Sequence, residues 1–147
     1  MPLSDIRTVI IRKAVPSDFK RLYKIGKSTP ELRVSRNQVF MTEADFKFAI
    51  GNKSGLFLLA EDGGKIVGFG YCAIEGPDYA CMVYDVVIPG YRDLGIAGKF
   101  MKEKEKWLRR KGMKSVYALV TNPKMAGMLS HLGYKKGKGL LWMEKWL

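Results

Sequence analysis

A chain of 147 residues has the length of one domain, and 47% apolar with 12% aromatic residues is enough to bury a core without disulfide or metal staples. Its 27% charged residues are an ordinary globular share and exclude a disordered charged tail. The formal charge of +12, from 26 Lys plus Arg against 14 Asp plus Glu, favours anionic partners: nucleic acid, an anionic membrane, or a cofactor carrying several phosphates.

In chain order, Ile6 to Arg12 is short and β-branched and predicts a strand. Pro16-Ser17-Asp18 then opens a pattern in which Phe19, Leu22, Tyr23 and Ile25 recur at helical spacing. Ser28 to Asn37, broken by Pro30, reads as a loop or interrupted helix. Thr42 and Asp45 resemble a capping box with Asp in place of Glu, and predict a second helix to about Gly51. Leu56 to Ala60 and Lys65 to Ile74 are strand-like and are separated by Asp62-Gly63-Gly64, a hairpin turn. After Gly76-Pro77-Asp78 a third strand runs from Tyr79 to Ile88.

Ile96, Lys99, Phe100, Glu103, Trp107 and Leu108 repeat at helical intervals, and the charged run Lys102 to Lys106 between them reads as a solvated face; Gly112 ends the helix. Phe100, Met101 and Trp107 are its core candidates. Ser115 to Val120 is a strand, Pro123 to Leu132 a short helix with Pro in its first turn, and Leu140 to Leu147 a closing strand with Trp142 and Trp146 on one face. The order β-α-α-β-β-β-α-β-α-β predicts a single domain over residues 1–147, of α/β (α+β) class: a mixed, mostly antiparallel sheet with helices on both faces. Cys72 and Cys81 fall in strands with no CxxC pair or Cys/His grouping, so no metal site is expected. Two buried thiols, no secretory segment and no apolar run of membrane-spanning length predict a soluble, cytoplasmic protein without a membrane partner.

The segment from Val87 to Lys99 carries the chemistry. A strand ending Val86-Val87-Ile88-Pro89 runs through Gly90-Tyr91-Arg92-Asp93-Leu94 into Gly95-Ile96-Ala97-Gly98, which opens the longest helix. Small residues at 95, 97 and 98 let a ligand approach the backbone, and the first N–H groups of a helix have no intrahelical partners, so phosphate oxygens fit there. A Walker loop would need Lys and Ser or Thr after Gly95, where Ile96 and Ala97 stand, and the GxGxxG spacing of a dinucleotide turn is absent.

What remains is Arg-x-x-Gly-x-Ala at Arg92, Gly95 and Ala97, preceded by Val-x-Pro-x-Tyr at Val87, Pro89 and Tyr91. Here the chain resembles the GNAT superfamily of N-acetyltransferases. Asn122, followed by a short helix and Gly133-Tyr134, extends the resemblance. The resemblance implies an acetyl-CoA-dependent N-acetyltransferase acting on a primary amine by direct transfer. It implies that the backbone of Asp85, Val86 and Val87 pairs with pantetheine, that Arg92 and the run Asp93, Leu94, Gly95, Ile96, Ala97 and Gly98 hold the pyrophosphate, and that Asn122 touches the cofactor arm.

Acyl transfer to an amine needs a proton removed from an ammonium with a free pKa of about 10.4, and a departing thiolate stabilised. Family members commonly place a Tyr four residues before the Gly of the Gly-Tyr pair; here that position is Leu129. A Glu in the strand before Asn122 is also missing, Tyr117 being the titratable group there. Asp85 is the candidate base, on the same face as Val83 and Val87 by strand alternation. Glu75 and Asp78 are weaker candidates, and His131 reads as a helix-end residue. Two alternatives stand beside the enzyme: a CoA-binding regulatory module without catalysis, and a basic nucleic-acid-associated protein, for which no RNP-like aromatic pattern is present.

Overall fold

The computed structural model describes residues 8–32, 42–120 and 122–139, with 141, 143–145 and 147. Strand β1 (Val9–Lys13) is followed by a 3₁₀ turn at Pro16–Asp18, helix α1 (Phe19–Lys27), a second 3₁₀ turn at Pro30–Leu32, and α2 (Glu43–Gly51). The expected capping box forms: the Thr42 hydroxyl accepts from the Asp45 N–H at 3.2 Å, and the Asp45 carboxylate accepts from the Thr42 N–H at 3.3 Å. Three antiparallel strands come next, β2 (Gly55–Asp62), β3 (Lys65–Ile74) and β4 (Tyr79–Val87), then α3 (Ile96–Arg110), β5 (Ser115–Tyr117) and α4 (Pro123–His131). Gly63 and Gly64, both at positive φ, make the predicted hairpin turn between β2 and β3.

The sheet is ordered β1-β2-β3-β4-β5, antiparallel except for the parallel pair β4 and β5. Helices cover both faces, as predicted. On one face α1 and α2 seal a core of Leu22, Phe46, Phe57, Leu59 and Phe69; on the other α3 and α4 press Ile96, Phe100, Met101, Leu108 and Leu129 onto Leu58, Val67 and Met82. Both faces of β2 and β3 are therefore buried, which is why these strands read as continuous apolar runs rather than alternating ones.

Two irregularities shape the site. Tyr71 pairs with Tyr84 while Cys72 pairs with Met82, so Val83 is an extra residue in β4, a β-bulge that shifts the phase of the strand. And β4 pairs with β5 only over Tyr79–Cys81 against Ser115–Tyr117; beyond that point the two strands part. The strand expected over Ser115 to Val120 accordingly stops at Tyr117, because Ala118 to Val120 no longer lie beside a ladder edge. The closing strand expected over Leu140 to Leu147 is not formed by the residues described there, and Leu141, Met143 and Leu147 present their side chains to solvent. Leu140, Trp142 and Trp146 lie outside the described residues, as do Ile6 and the segment 33–41 in which the predicted loop continues.

Candidate active site

The loop between β4 and α3 is held from three sides. Arg92 Nε donates to the Val87 carbonyl at 2.8 Å, closing the loop back on its own strand. The Tyr91 hydroxyl donates to Asp62 at 2.6 Å, tying the loop to the β2–β3 turn. Asp93, at φ 65° the one non-glycine residue in left-handed backbone among the described residues, pairs with Lys124 at 2.5 Å and so links the loop to the first turn of α4. That exposed ion pair contributes geometry more than energy.

Gly95 is the N-cap of α3 and sits at φ 85°, a conformation in which an L side chain is strained. It offers no side-chain cap, so the first N–H groups of α3 have no partner from the cap residue. Ile96 anchors the helix start, being 1% exposed in the core below. Gly98 has a different significance. It is fully helical, where glycine costs about 1 kcal/mol against alanine, yet a Cβ placed on it would meet no atom within 4 Å. Packing inside the protein gives no reason for a glycine there, and the bare backbone leaves open space at the first turn. Gly95, Ile96, Ala97 and Gly98 thus form an N-terminal turn with bare backbone and the positive end of a 15-residue helix dipole.

Asn122 caps α4, its side-chain oxygen accepting from the Lys124 N–H at 2.8 Å. Through Lys124 it stands close in the chain to the partner of Asp93, so the fold brings the two segments singled out in the sequence to one side of the sheet, over α3 and α4. Between the parted ends of β4 and β5 lies a cleft of about 50 Å³, whose lining includes Met82, Tyr84, Asp85, Leu119, Met125 and Leu129.

Asp85 borders this cleft, but its carboxylate is engaged. Both oxygens accept from Lys104 Nζ at 2.8 Å, and the two side chains are 4% and 0% exposed. Burial pushes the carboxyl up to about 6, against the opposing pull of the Lys104 ammonium. Space for the pair is made by Gly70 of β3, where a Cβ would fall 2.2 Å from Asp85 Oδ1. The expected alternation is corrected by the bulge: Val83 packs with Tyr84 towards α1 and α2, while Asp85 faces α3. Lys104, read in the sequence as part of a solvated run, is a core residue. Its signal was in the spacing, since it stands one turn from Phe100 and one from Leu108, on the buried stripe of α3.

The remaining proton-bearing groups are distributed unevenly. Leu129, in the position where a Tyr was sought, is 6% exposed and forms an apolar wall of the cleft. Tyr117 donates to Glu75 in a short hydrogen bond, and that carboxylate, ahead of burial, pushes the phenol up. Tyr134 donates to Glu105 at 2.9 Å, and the Ser130 hydroxyl to the Ala126 carbonyl at 3.0 Å. His131 is exposed at the end of α4. Cys72 and Cys81 are buried and free, and burial pushes the Cys72 thiol up to about 11. Tyr84 alone differs: its hydroxyl is buried and has no hydrogen-bond partner among the described residues. Among those residues no three His, Cys, Asp or Glu side chains cluster as a metal site, and no helix is long and apolar enough to cross a membrane.

A left-handed glycine opening a bare helix terminus, set beside the parted ends of two parallel strands, is an arrangement whose chemistry suits an anionic ligand laid along a sheet edge. The chain belongs to the acetyltransferase (GNAT) family, whose model matches residues 19–134. It is thus an acyltransferase by family. No curated protein matches it significantly. Among solved structures it is similar to an aminoglycoside acetyltransferase from an uncultured soil metagenomic sample, in complex with sisomicin, with 13% identity, 97% of this chain and 99% of the other covered, and a TM-score of 0.76. An aminoglycoside N-acetyltransferase in complex with CoA matches at 14% identity, 94% and 100% coverage, and a TM-score of 0.74. A transcriptional regulator from Bacillus halodurans C-125 matches at 16% identity, 93% and 99% coverage, and a TM-score of 0.76. At these identities the likeness is one of fold.

Proposed function

We propose that the protein transfers the acetyl group of acetyl-CoA to a primary amine of a protein, peptide or small molecule, by direct attack within a ternary complex. The observation that carries this reading is Gly98, a helical glycine that no protein atom requires, in the first turn of a helix whose cap supplies no side-chain oxygen. The backbone N–H groups of residues 94–98 bind the pyrophosphate, with Arg92 and Asp93 shaping the loop around it. The edge of β4 at Asp85, Val86 and Val87, which β5 has left, pairs with the amides of pantetheine, and Asn122 borders the same arm from α4. The thioester then lies in the cleft between the parted strands, and the amine approaches from the α1 and α2 side. Two unpaired buried thiols suit a reducing compartment, and we place the reaction in the cytoplasm.

Asp85 has a structural part in this reading. Both oxygens of this carboxylate are taken up by a buried ammonium and so do not face an incoming amine, and the pair fastens β4 to α3 so that the loop between them keeps its shape. The acceptor class is open among amines, and sisomicin, an aminoglycoside, is a rational first member of a test panel because a protein of the same fold binds it. The +12 charge works against so cationic a substrate, so neutral and acidic peptides with free N-termini complete the panel.

The test is thermal unfolding with and without acetyl-CoA. The expected outcome is a rise in Tm that Gly95→Glu removes, because its side chain and charge would occupy the anion site. An unchanged Tm at millimolar acetyl-CoA would overturn the proposal. A second reading, a CoA-binding module without turnover, is favoured by Leu129 in the cleft wall; thiol release from acetyl-CoA with any amine of the panel excludes it.

A further inference from the structure

We propose that the outer face of α1 is a docking surface for an acidic segment of polypeptide, and that the amine to be acetylated belongs to the chain docked there. That the docked chain is the acceptor rests on the acyltransferase reading above; the docking itself does not.

Lys20, Lys24 and Lys27 recur at i, i+4 and i+7 and so share one face of α1, where with Tyr23 and Ser28 they line an open groove of about 390 Å³. All three are exposed, and among the described residues no carboxylate pairs with them. Like charges at these spacings repel one another. The helix dipole compensates Lys24 and Lys27, which stand in the last turn, but it opposes Lys20, whose first turn contains no acidic residue. The N-cap carboxylate of Asp18 is already taken by Arg12 and Arg21. A fourth ammonium joins this surface from α2. Lys47 Nζ stands 4.8 Å from the centre of the Phe19 ring, which stacks at 5.3 Å on the Tyr23 ring, and Lys27 Nζ stands 5.6 Å from the centre of that second ring. A bound polyanion relieves the repulsion among these cations.

Three observations select a carboxylate-bearing peptide over a nucleic acid. The cations are lysines, while Arg21 of α1, whose fork would suit phosphate, is turned to Asp18 at 3.1 Å and to the Gly64 carbonyl at 3.0 Å. The Phe19 and Tyr23 rings are engaged with each other and with two ammonium groups, whereas a surface for single strands keeps its rings open for stacking bases. Finally, the row from Lys20 to Lys27 is short, about 10 Å at the rise of an α-helix. An extended peptide with acidic residues at alternate positions presents carboxylates about 6.6 Å apart along one side, so two or three of them match the row.

The test uses two ten-residue peptides with free N-termini and a C-terminal fluorophore, one with glutamate at four alternate positions and one with glutamine there. Fluorescence anisotropy should show the wild type binding the acidic peptide about 10-fold more tightly, a preference that high salt removes. Lys20→Gln, Lys24→Gln and Lys27→Gln together should reduce the preference to about twofold or less. The equal charge change Lys106→Gln, Arg110→Gln and Lys114→Gln, on and just beyond α3, should leave most of it. Equal losses in the two triple variants would overturn the docking surface in favour of net charge alone. A single-stranded RNA of equal charge that binds more tightly than the acidic peptide, and is lost in the α1 variant, would overturn it in favour of nucleic acid. Turnover then tests the acceptor: kcat/KM for thiol release from acetyl-CoA should be about 10-fold higher with the acidic peptide, through KM rather than kcat, and the α1 variant should lose that advantage. An acidic peptide that binds at α1 but is acetylated no better than its glutamine counterpart would overturn its being the acceptor. No thiol release with any amine would overturn the acyltransferase reading and leave the docking surface standing on the anisotropy.

Discussion

Asp85 and Tyr84 are adjacent in β4, face opposite sides of the sheet, and are treated by the fold in opposite ways. On the α3 side Asp85 is saturated: Lys104 occupies both its oxygens and Gly70 gives up its side chain to make room. On the α1 and α2 side the Tyr84 hydroxyl is buried and has no hydrogen-bond partner among the described residues. That second face is not careless with polar groups in general, for Asp18, 4% exposed, accepts from Arg12 at 2.8 Å, from Arg21 at 3.1 Å and from the Val15 N–H at 2.8 Å. The difference teaches that a buried polar residue is architecture where its hydrogen bonds close within the protein, and a candidate for contact with a ligand where they do not.

The comparison can be broken at the ion pair first. Lys104→Met leaves a carboxylate buried without its cation, and urea unfolding should show a loss of about 3–5 kcal/mol, most of it recovered in the double variant Asp85→Leu with Lys104→Met. Acetyl-CoA should still raise the Tm of the double variant. A variant that keeps its stability but loses turnover would instead make the pair part of the chemistry. Next in size is the loop: at acetyl-CoA concentrations about 100 times Kd the wild type should gain about 2.7 kcal/mol of stability, and Gly95→Glu should gain none.

Asp18→Asn should cost about 2 kcal/mol at neutral pH. The Arg12 hydrogen bond holds the folded Asp18 carboxyl below the usual carboxylate range, so its contribution is complete above about pH 4 and fades as pH falls through the lower folded value. The stability gap between wild type and Asp18→Asn should therefore close at the acid end of a pH scan of denaturant midpoints. The smallest effect is expected at the α4 cap, where Asn122→Ala should cost about 1 kcal/mol. Asn122→Asp should keep that cap but weaken acetyl-CoA binding by placing a negative charge beside an anionic cofactor, which a KM measurement would detect.

Much of the fold was legible in the residues. The Thr42 and Asp45 box, the two glycines of the β2–β3 turn and the 3.6-residue pattern of α3 are local signals, set by hydrogen bonds and φ preferences within a few residues. The loop between β4 and α3 was legible for the same reason, because a strand, a glycine-bearing turn and a helix start are contiguous in sequence. Lys104 was misread as solvated because charge was weighed above position, although the spacing from Phe100 to Leu108 marked it as buried. Asp85 does share a face with Val87, but Val83 was misassigned to that face because it is the extra residue of the bulge.

The sequence by itself therefore determined the element order as far as α4, the helices on both faces and the strand-turn-helix geometry of the loop at Arg92 to Gly98, since each follows from short-range geometry. Only the tertiary structure decided that β4 and β5 part after Cys81 and Tyr117, that the partner of Asp85 is a lysine from α3, and that the Tyr84 hydroxyl has none among the described residues. Whether a buried polar atom is satisfied depends on what the rest of the chain brings within 3 Å of it, and no local pattern of residues carries that information.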